Sequence, residues 1–108
     1  MFSDIQSLNA CLEQSRTVPV LLFKHSATCP ISFYAKEQIE SFLRDYPIVT
    51  YMLVVQEDRP LSNQIANDLQ ITHQSPQAIW LRNAEVVKVL NHYSITEEAL
   101  EALVDTTK

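Results

Sequence analysis

The residue with the clearest potential for chemistry is Cys29. It stands between an apolar run typical of a buried strand, residues 18–24, and a long amphipathic stretch that begins at Pro30. Pro30 suits the first turn of a helix, because the N–H that proline lacks would have no partner there. A helix N-terminus presents unpaired N–H groups and the positive end of the helix dipole, and both stabilise a thiolate over a thiol. Because the thiolate is the attacking species in thiol–disulfide exchange, this position predicts a reactive cysteine, with Lys24 and His25 adding positive field.

Ser32 stands three residues after Cys29, where a Cys-x-x-Cys motif would place its second thiol. A serine hydroxyl cannot form a disulfide. It either donates a hydrogen bond to the sulfur or is an ordinary hydroxyl of the first helical turn. A reactive Cys29 must therefore be released from its mixed disulfide by an external thiol, so the sequence predicts a thiol–disulfide exchange protein that uses one cysteine. The second cysteine, Cys11, falls among the apolar residues of a predicted helix, which favours packing over redox chemistry.

The elements that must position these residues follow from the apolar periodicity. We predict four helices and four strands: a helix over 3–15 with Ser3 as N-cap, a strand over 18–24, a helix over 30–46, a strand over 48–55, a helix over 60–69, strands over 78–81 and 86–90, and a final helix capped by Ser94 or Thr96. The first two strands are each followed by a helix, which implies parallel pairing, whereas the last two form a hairpin. This order predicts an α/β thioredoxin-like fold, a mixed four-stranded sheet flanked by helices, in a single domain over residues 1–108.

A second candidate segment is Ser75-Pro76, directly before the third predicted strand. In a thioredoxin-like fold a proline at this point has a cis peptide bond and lies against the active-site cysteine. The backbone before that proline pairs with an extended substrate. We therefore expect the Ser75–Pro76 bond to be cis and both residues to shape the site.

Composition narrows the classes of partner. The net charge of −5 with eight scattered basic residues argues against nucleic acid, which requires clustered Lys and Arg. No apolar run approaches the roughly 18 residues of a membrane span, and no signal peptide precedes the first helix, so we expect a cytoplasmic protein without a membrane partner. Two cysteines and three dispersed histidines predict no metal site.

The chain contains no glycine, so another residue must supply each positive φ. We expect Asn83 to do so in the hairpin and Asn67 or Asp68 to do so elsewhere.

Two segments together resemble one family. Residues 23–32 read Phe-Lys-His-Ser-Ala-Thr-Cys-Pro-Ile-Ser, residues 73–77 read His-Gln-Ser-Pro-Gln, and residues 92–96 read His-Tyr-Ser-Ile-Thr. They are similar to the monothiol bacilliredoxins, the YtxJ-like general stress proteins of bacteria that make bacillithiol, and the resemblance covers nearly the whole chain. One departure is the absence of a glycine near Asn83 and Ala84, which concerns turn geometry and not chemistry.

The resemblance implies a thioredoxin-like fold and removal of bacillithiol from protein mixed disulfides. Cys29 would attack the bacillithiol sulfur of a modified client protein and release the client thiol. A second bacillithiol, a partner redoxin or a reductase would then regenerate Cys29. Bacillithiol acts as a thiol co-substrate and carries a malate with two carboxylates. Its candidate anchors are the helix N-terminus, Lys24, Thr28 and, ranked last, Lys36.

Two alternatives stay open. A thioredoxin-fold adaptor would hold extended peptides near Cys29 and Pro76 without turnover, and the rate of Cys29 with a small disulfide separates it from an enzyme. An iron–sulfur carrier is disfavoured, because such monothiol redoxins have Cys-Gly-Phe-Ser where this chain has Cys-Pro-Ile-Ser. We expect His25 and His73 to be hydrogen-bonding loop residues, because exchange needs no base once the thiolate has formed.

Overall fold

The computed structural model describes residues 2–106. Its elements in chain order are β1 (Ser3–Asp4), α1 (Leu8–Gln14), β2 (Val20–His25), α2 (Pro30–Asp45), β3 (Val49–Val54), α3 (Arg59–Leu69), β4 (Gln77–Arg82), β5 (Glu85–Asn91), a short 3₁₀ helix (His92–Ser94) and α4 (Glu97–Thr106). Within the described part of the chain, no helix is both long and apolar enough to cross a membrane.

The five strands form one mixed sheet in the order β1-β3-β2-β4-β5. β1, β3 and β2 run parallel to one another, whereas β4 is antiparallel to both β2 and β5. The predicted parallel crossover and C-terminal hairpin are therefore confirmed. The sheet has five strands instead of four, because an additional short strand lies at its edge.

That edge strand replaces the first turn of the predicted N-terminal helix. Ser3 and Asp4 pair with Tyr51 and Met52 of β3, and α1 begins only at Leu8. The N-cap is Ser7, whose hydroxyl oxygen accepts a hydrogen bond from the N–H of Ala10 at 3.0 Å. The prediction that Ser3 caps this helix was wrong.

Side chains of the central strands alternate between two apolar layers, as expected for a sheet covered on both faces. One layer, between the sheet and helices α2 and α4, is built around Phe23, Phe42 and Trp80. The other, on the face of α1 and α3, includes Leu22 and Ile79. A strand residue therefore lies on the α2 side or the α3 side according to its position, and this alternation decides where the polar residues at the end of β2 point.

Residues other than glycine supply the positive φ angles of the turns. Asn83 and Ala84 join β4 to β5 with φ of 58° and 60°, so the prediction for Asn83 is confirmed. Ser15 stabilises this turn, because its carbonyl oxygen accepts from the N–H of Asn83 at 2.7 Å and its hydroxyl oxygen accepts from the N–H of Ala84 at 2.9 Å. After α3 the left-handed residue is Gln70, with φ of 55°, and the expectation of Asn67 or Asp68 was wrong. The helix continues through both of those residues.

Candidate functional site

Cys29 is the N-cap of α2. Its backbone is extended, with φ of −104° and ψ of 119°, and Pro30 occupies the first helical position as predicted. Its carbonyl oxygen accepts from the N–H groups of Ser32 and Phe33 at 3.0 and 3.3 Å. The thiol is free, partly exposed, and makes no capping hydrogen bond. The sulfur is therefore placed at a helix N-terminus and is accessible to a reactant.

Ser32 lies beneath the loop that leads to Cys29. It is fully buried, and its Oγ accepts from the N–H of Ser26 at 2.9 Å. The same oxygen lies 2.7 Å from Nδ1 of His25. Burial, together with the positive charge of Lys36, lowers the pKa of His25 below its usual value. Ser32 therefore connects the end of β2 to the first turn of α2, in addition to lacking a thiol.

A glutamine that sequence analysis did not single out contacts this loop from the other side. Gln56 follows β3, and its Nε2 donates to the hydroxyls of Ser26 at 2.8 Å and Thr28 at 3.3 Å. Its Oε1 accepts from the N–H of Ala27 at 3.1 Å. A polar residue in a strand-to-helix loop has no periodic signature, so no sequence pattern distinguished Gln56. Thr28, a predicted site residue, is exposed and is one of its partners.

Lys24 points away from α2, into the layer on the α3 side. It is fully buried, and its Nζ donates to the carbonyl oxygen of Ser62 at 3.1 Å and lies 2.8 Å from Nδ1 of His73. Burial lowers the pKa of Lys24 to about 8, and it also lowers that of His73, together with the charges of Lys24 and Arg59. In this conformation the Lys24 ammonium contacts neighbouring protein groups and is not available to an external carboxylate.

The Ser75–Pro76 peptide bond is cis, as predicted. Lys24 of β2 pairs with Gln77 of β4, so Pro76 lies one residue beyond that pair, at the end of the sheet from which the chain leads to Cys29. The Nε2 of Gln77 donates to the carbonyl oxygen of Thr72 and to Oδ1 of Asn91, both at 3.0 Å. Through His73 and Thr72, β2 and β4 thus hold the loop that carries Ser75 and Pro76.

Cys11 belongs to the other layer of the protein. Its side chain is 1% exposed and packs with residues of the layer on the α1 and α3 face. Burial raises the pKa of its thiol to about 11. A protonated, enclosed thiol reacts slowly in exchange. The predicted packing environment of Cys11 agrees with this placement.

Comparison with known families agrees with this geometry. The sequence profile described as "Monothiol bacilliredoxin BrxC" matches residues 1–100. The chain belongs to the monothiol bacilliredoxin family. The family membership that the sequence resemblance implied is therefore confirmed. This bacilliredoxin-family chain is a thiol redoxin with a thioredoxin-like fold.

Solved structures support the same fold. A protein described as a proposed oxidoreductase with a thioredoxin fold shares 36% identity with this bacilliredoxin-family chain, over 94% of this chain and 88% of its own, with a TM-score of 0.83. Thioredoxin O2 from Arabidopsis thaliana, at 18% identity over 99% and 95% of the two chains, has a TM-score of 0.74. The thioredoxin of Fasciola hepatica, at 12% identity over 94% and 91%, has a TM-score of 0.71. The latter two comparisons concern the fold alone.

Proposed function

We propose that this protein removes bacillithiol from protein mixed disulfides, and that Cys29 is its only catalytic thiol. In the first step the Cys29 thiolate attacks the bacillithiol sulfur of a client. The client's disulfide breaks, a new disulfide joins Cys29 to bacillithiol, and the client sulfur leaves as a thiolate. One disulfide is exchanged for another, so no external oxidant or reductant is consumed.

A second exchange returns the protein to its starting state. The thiolate of a free bacillithiol attacks the bacillithiol sulfur on Cys29, giving oxidised bacillithiol and releasing the Cys29 thiolate. A partner redoxin or reductase with its own thiol can perform the same step. Because this step requires a thiol from outside, its rate depends on the concentration of that thiol.

The single observation that carries the proposal is the isolation of Cys29. It lies partly exposed at the N-terminus of α2, whereas Cys11 is buried in the layer on the opposite face of the sheet. Ser32 occupies the position of a resolving thiol, and its oxygen contacts His25 and Ser26. Neither residue provides an accessible internal thiol that would release Cys29 from a mixed disulfide.

We further propose how the remaining residues contribute. The malate carboxylates of bacillithiol are recognised by the α2 N-terminus, with Thr28, directly before Cys29, as the first side-chain candidate and Lys36, two helical turns after it, as the last. Lys24 contributes indirectly, because its ammonium is buried and contacts His73, which belongs to the loop that leads to Ser75 and Pro76. Ser75 and Pro76 border the path of an extended client segment.

We propose that residues 1–108 act as a single thioredoxin-like domain and that the protein works in the cytoplasm. Support for the location comes from the two free cysteines, which fit a reducing compartment.

The proposal is tested with one client protein prepared in two forms, one bacillithiolated and one glutathionylated at the same cysteine. Loss of each adduct is followed by intact mass with the matching free thiol present. We expect faster loss of bacillithiol than of glutathione, relative to the uncatalysed rates. Equal acceleration of both reactions contradicts a specific role for bacillithiol, and acceleration of neither contradicts exchange activity.

A further inference from the structure

We propose that Gln56 is a positioning residue for Cys29, acting through the loop of residues 26–28. The inference rests on the proposed function, in that its effect is read through the reactivity of Cys29. The side-chain amide of Gln56 bonds to all three residues of this loop: to the Ser26 and Thr28 hydroxyls through Nε2 and to the Ala27 N–H through Oε1.

The chemistry of the loop fixes the orientation of the amide. The N–H of Ala27 is only a donor, so the carbonyl oxygen of Gln56 must face it. The NH₂ group then faces two hydroxyl oxygens, which can accept, and both of its hydrogens are used. A rotated amide would direct an N–H group at another N–H group. No other single side chain described in the structure contacts all three loop residues in this way.

Ser26 is held from two directions. Its N–H donates to the buried Oγ of Ser32 on α2, and its hydroxyl accepts from Gln56, which follows β3. The loop is thereby attached both to α2 and to the segment that follows β3. The backbone adds one further connection, from the N–H of Cys29 to the carbonyl oxygen of Ser26, at a long 3.5 Å.

The position of the sulfur depends on this loop. Pro30 supplies no N–H, and the N–H groups of Ser32 and Phe33 bond to the carbonyl oxygen of Cys29. Any interaction of the sulfur with α2 therefore requires that the Cys29 side chain stay close to the few amide hydrogens at the helix end. A loop released from Gln56 allows the sulfur more conformations, and fewer of them benefit from the helix terminus.

The test compares two isosteric substitutions of glutamine. Gln56→Met keeps the length of the side chain and removes all three hydrogen bonds. Gln64→Met is the matched control, because Gln64 is exposed on α3 and bonds only to Asp68 of its own helix. The readout is the second-order rate constant for alkylation of Cys29 by iodoacetamide, measured by peptide mass spectrometry from pH 5 to 10. The peptides distinguish Cys29 from Cys11, and the assay contains no bacillithiol.

We expect Gln56→Met to slow alkylation of Cys29 at pH 7 about tenfold, since the loop before Cys29 loses all three hydrogen bonds of this side chain and solvent replaces only part of them. The pH profile of this variant should differ from the wild-type profile, whereas the alkylation rate of Gln64→Met should stay within about twofold of wild type. A Gln56→Met protein that is folded by circular dichroism but has wild-type rates and pH profile overturns the proposal. If Gln56→Met unfolds, Gln56→Asn, which is shorter by one methylene, is measured against the same two criteria.

A double-mutant cycle with Thr28→Val tests whether Gln56 and Thr28 affect Cys29 through the hydrogen bond between them or independently of each other. Thr28→Val removes one acceptor of Gln56 and should slow alkylation about twofold alone, while adding nothing in the Gln56→Met background. If the rate of the double variant falls by the product of the two single decreases, the two residues act independently, and the proposed action of Gln56 through Thr28 is overturned. Failure of the proposed function is distinct: in that case wild-type Cys29 is alkylated but does not accept bacillithiol from a client.

Discussion

The hydroxyl oxygen of Ser32 lies 2.7 Å from Nδ1 of His25, at the position where a dithiol redoxin carries its second cysteine. The oxygen is fully buried, and it also accepts from the N–H of Ser26. The residue that occupies the place of a second redox thiol is thus also a structural link between β2 and α2.

Replacing this serine by cysteine should create a dithiol site. In Ser32→Cys the new sulfur lies one helical turn from Cys29, so a disulfide can close and expel bacillithiol without an external thiol. The imidazole of His25 is placed to accept the proton of the new thiol. We expect the variant to reduce disulfides repeatedly when a reductase is supplied, at a cost of about 1 kcal/mol in the free energy of unfolding for the weaker hydrogen bonds of sulfur. If the variant, once bacillithiolated on Cys29, still carries the bacillithiol after incubation without added thiol, this expectation is contradicted.

Cys29→Ser should abolish exchange and leave the fold intact, because a hydroxyl has nearly the same shape but is not ionised near neutral pH. Cys11→Ser is the matched control. Its exchange rate should stay within about twofold of wild type, while its unfolding free energy falls by about 1–3 kcal/mol because a hydroxyl is placed in an apolar layer. The measurements are client de-bacillithiolation and denaturant unfolding. Activity retained in Cys29→Ser contradicts the catalytic assignment, and activity lost in folded Cys11→Ser identifies Cys11 as a resolving thiol.

Lys24 should give the protein an unusual pH dependence of stability. Its pKa is about 8 in the fold against an ordinary value of 10.5, so between these values the unfolded chain binds more protons and stability rises with pH. From pH 7 to 9 this rise amounts to about 1 kcal/mol in the free energy of unfolding. Above pH 9 the buried Cys11 thiol acts in the opposite direction, since its pKa is raised from 9.0 to about 11.

The measurement is denaturant unfolding of wild type and Lys24→Met at pH 7, 8 and 9. The variant removes the titrating group and should lose the upward slope, whatever its absolute stability. Equal slopes in the two proteins would show that Lys24 does not titrate as an isolated buried ammonium.

The sequence was most informative where local chemistry and periodicity coincide. Cys29 and Pro30 stand at a change from strand-like to helix-like patterning, and the structure places them at the N-cap and first position of α2. The order of elements led to the cis assignment of Ser75–Pro76. The fold class followed from the same order, because the buried strands and amphipathic helices are long enough to show their periods.

Other features carry no such signal. Strand β1 consists of two exposed polar residues, Ser3 and Asp4, whose pairing with β3 uses the backbone alone. Gln56 acts through contacts with residues 26–28, about thirty positions away in the chain. The burial of Lys24 depends on which face of β2 it occupies, and in a strand buried on both sides the apolar pattern does not distinguish the two faces.

The central claim, that one cysteine performs the exchange and cannot release itself, is tested most directly by a single-turnover experiment. Reduced wild-type protein is mixed with an excess of bacillithiolated client in the absence of free thiol, and the intact mass of both proteins is followed. The account predicts release of one client thiol per redoxin, accumulation of redoxin carrying one bacillithiol on Cys29, and renewed turnover when bacillithiol is added. Continued client release without added thiol, or a disulfide between Cys29 and Cys11, would contradict it.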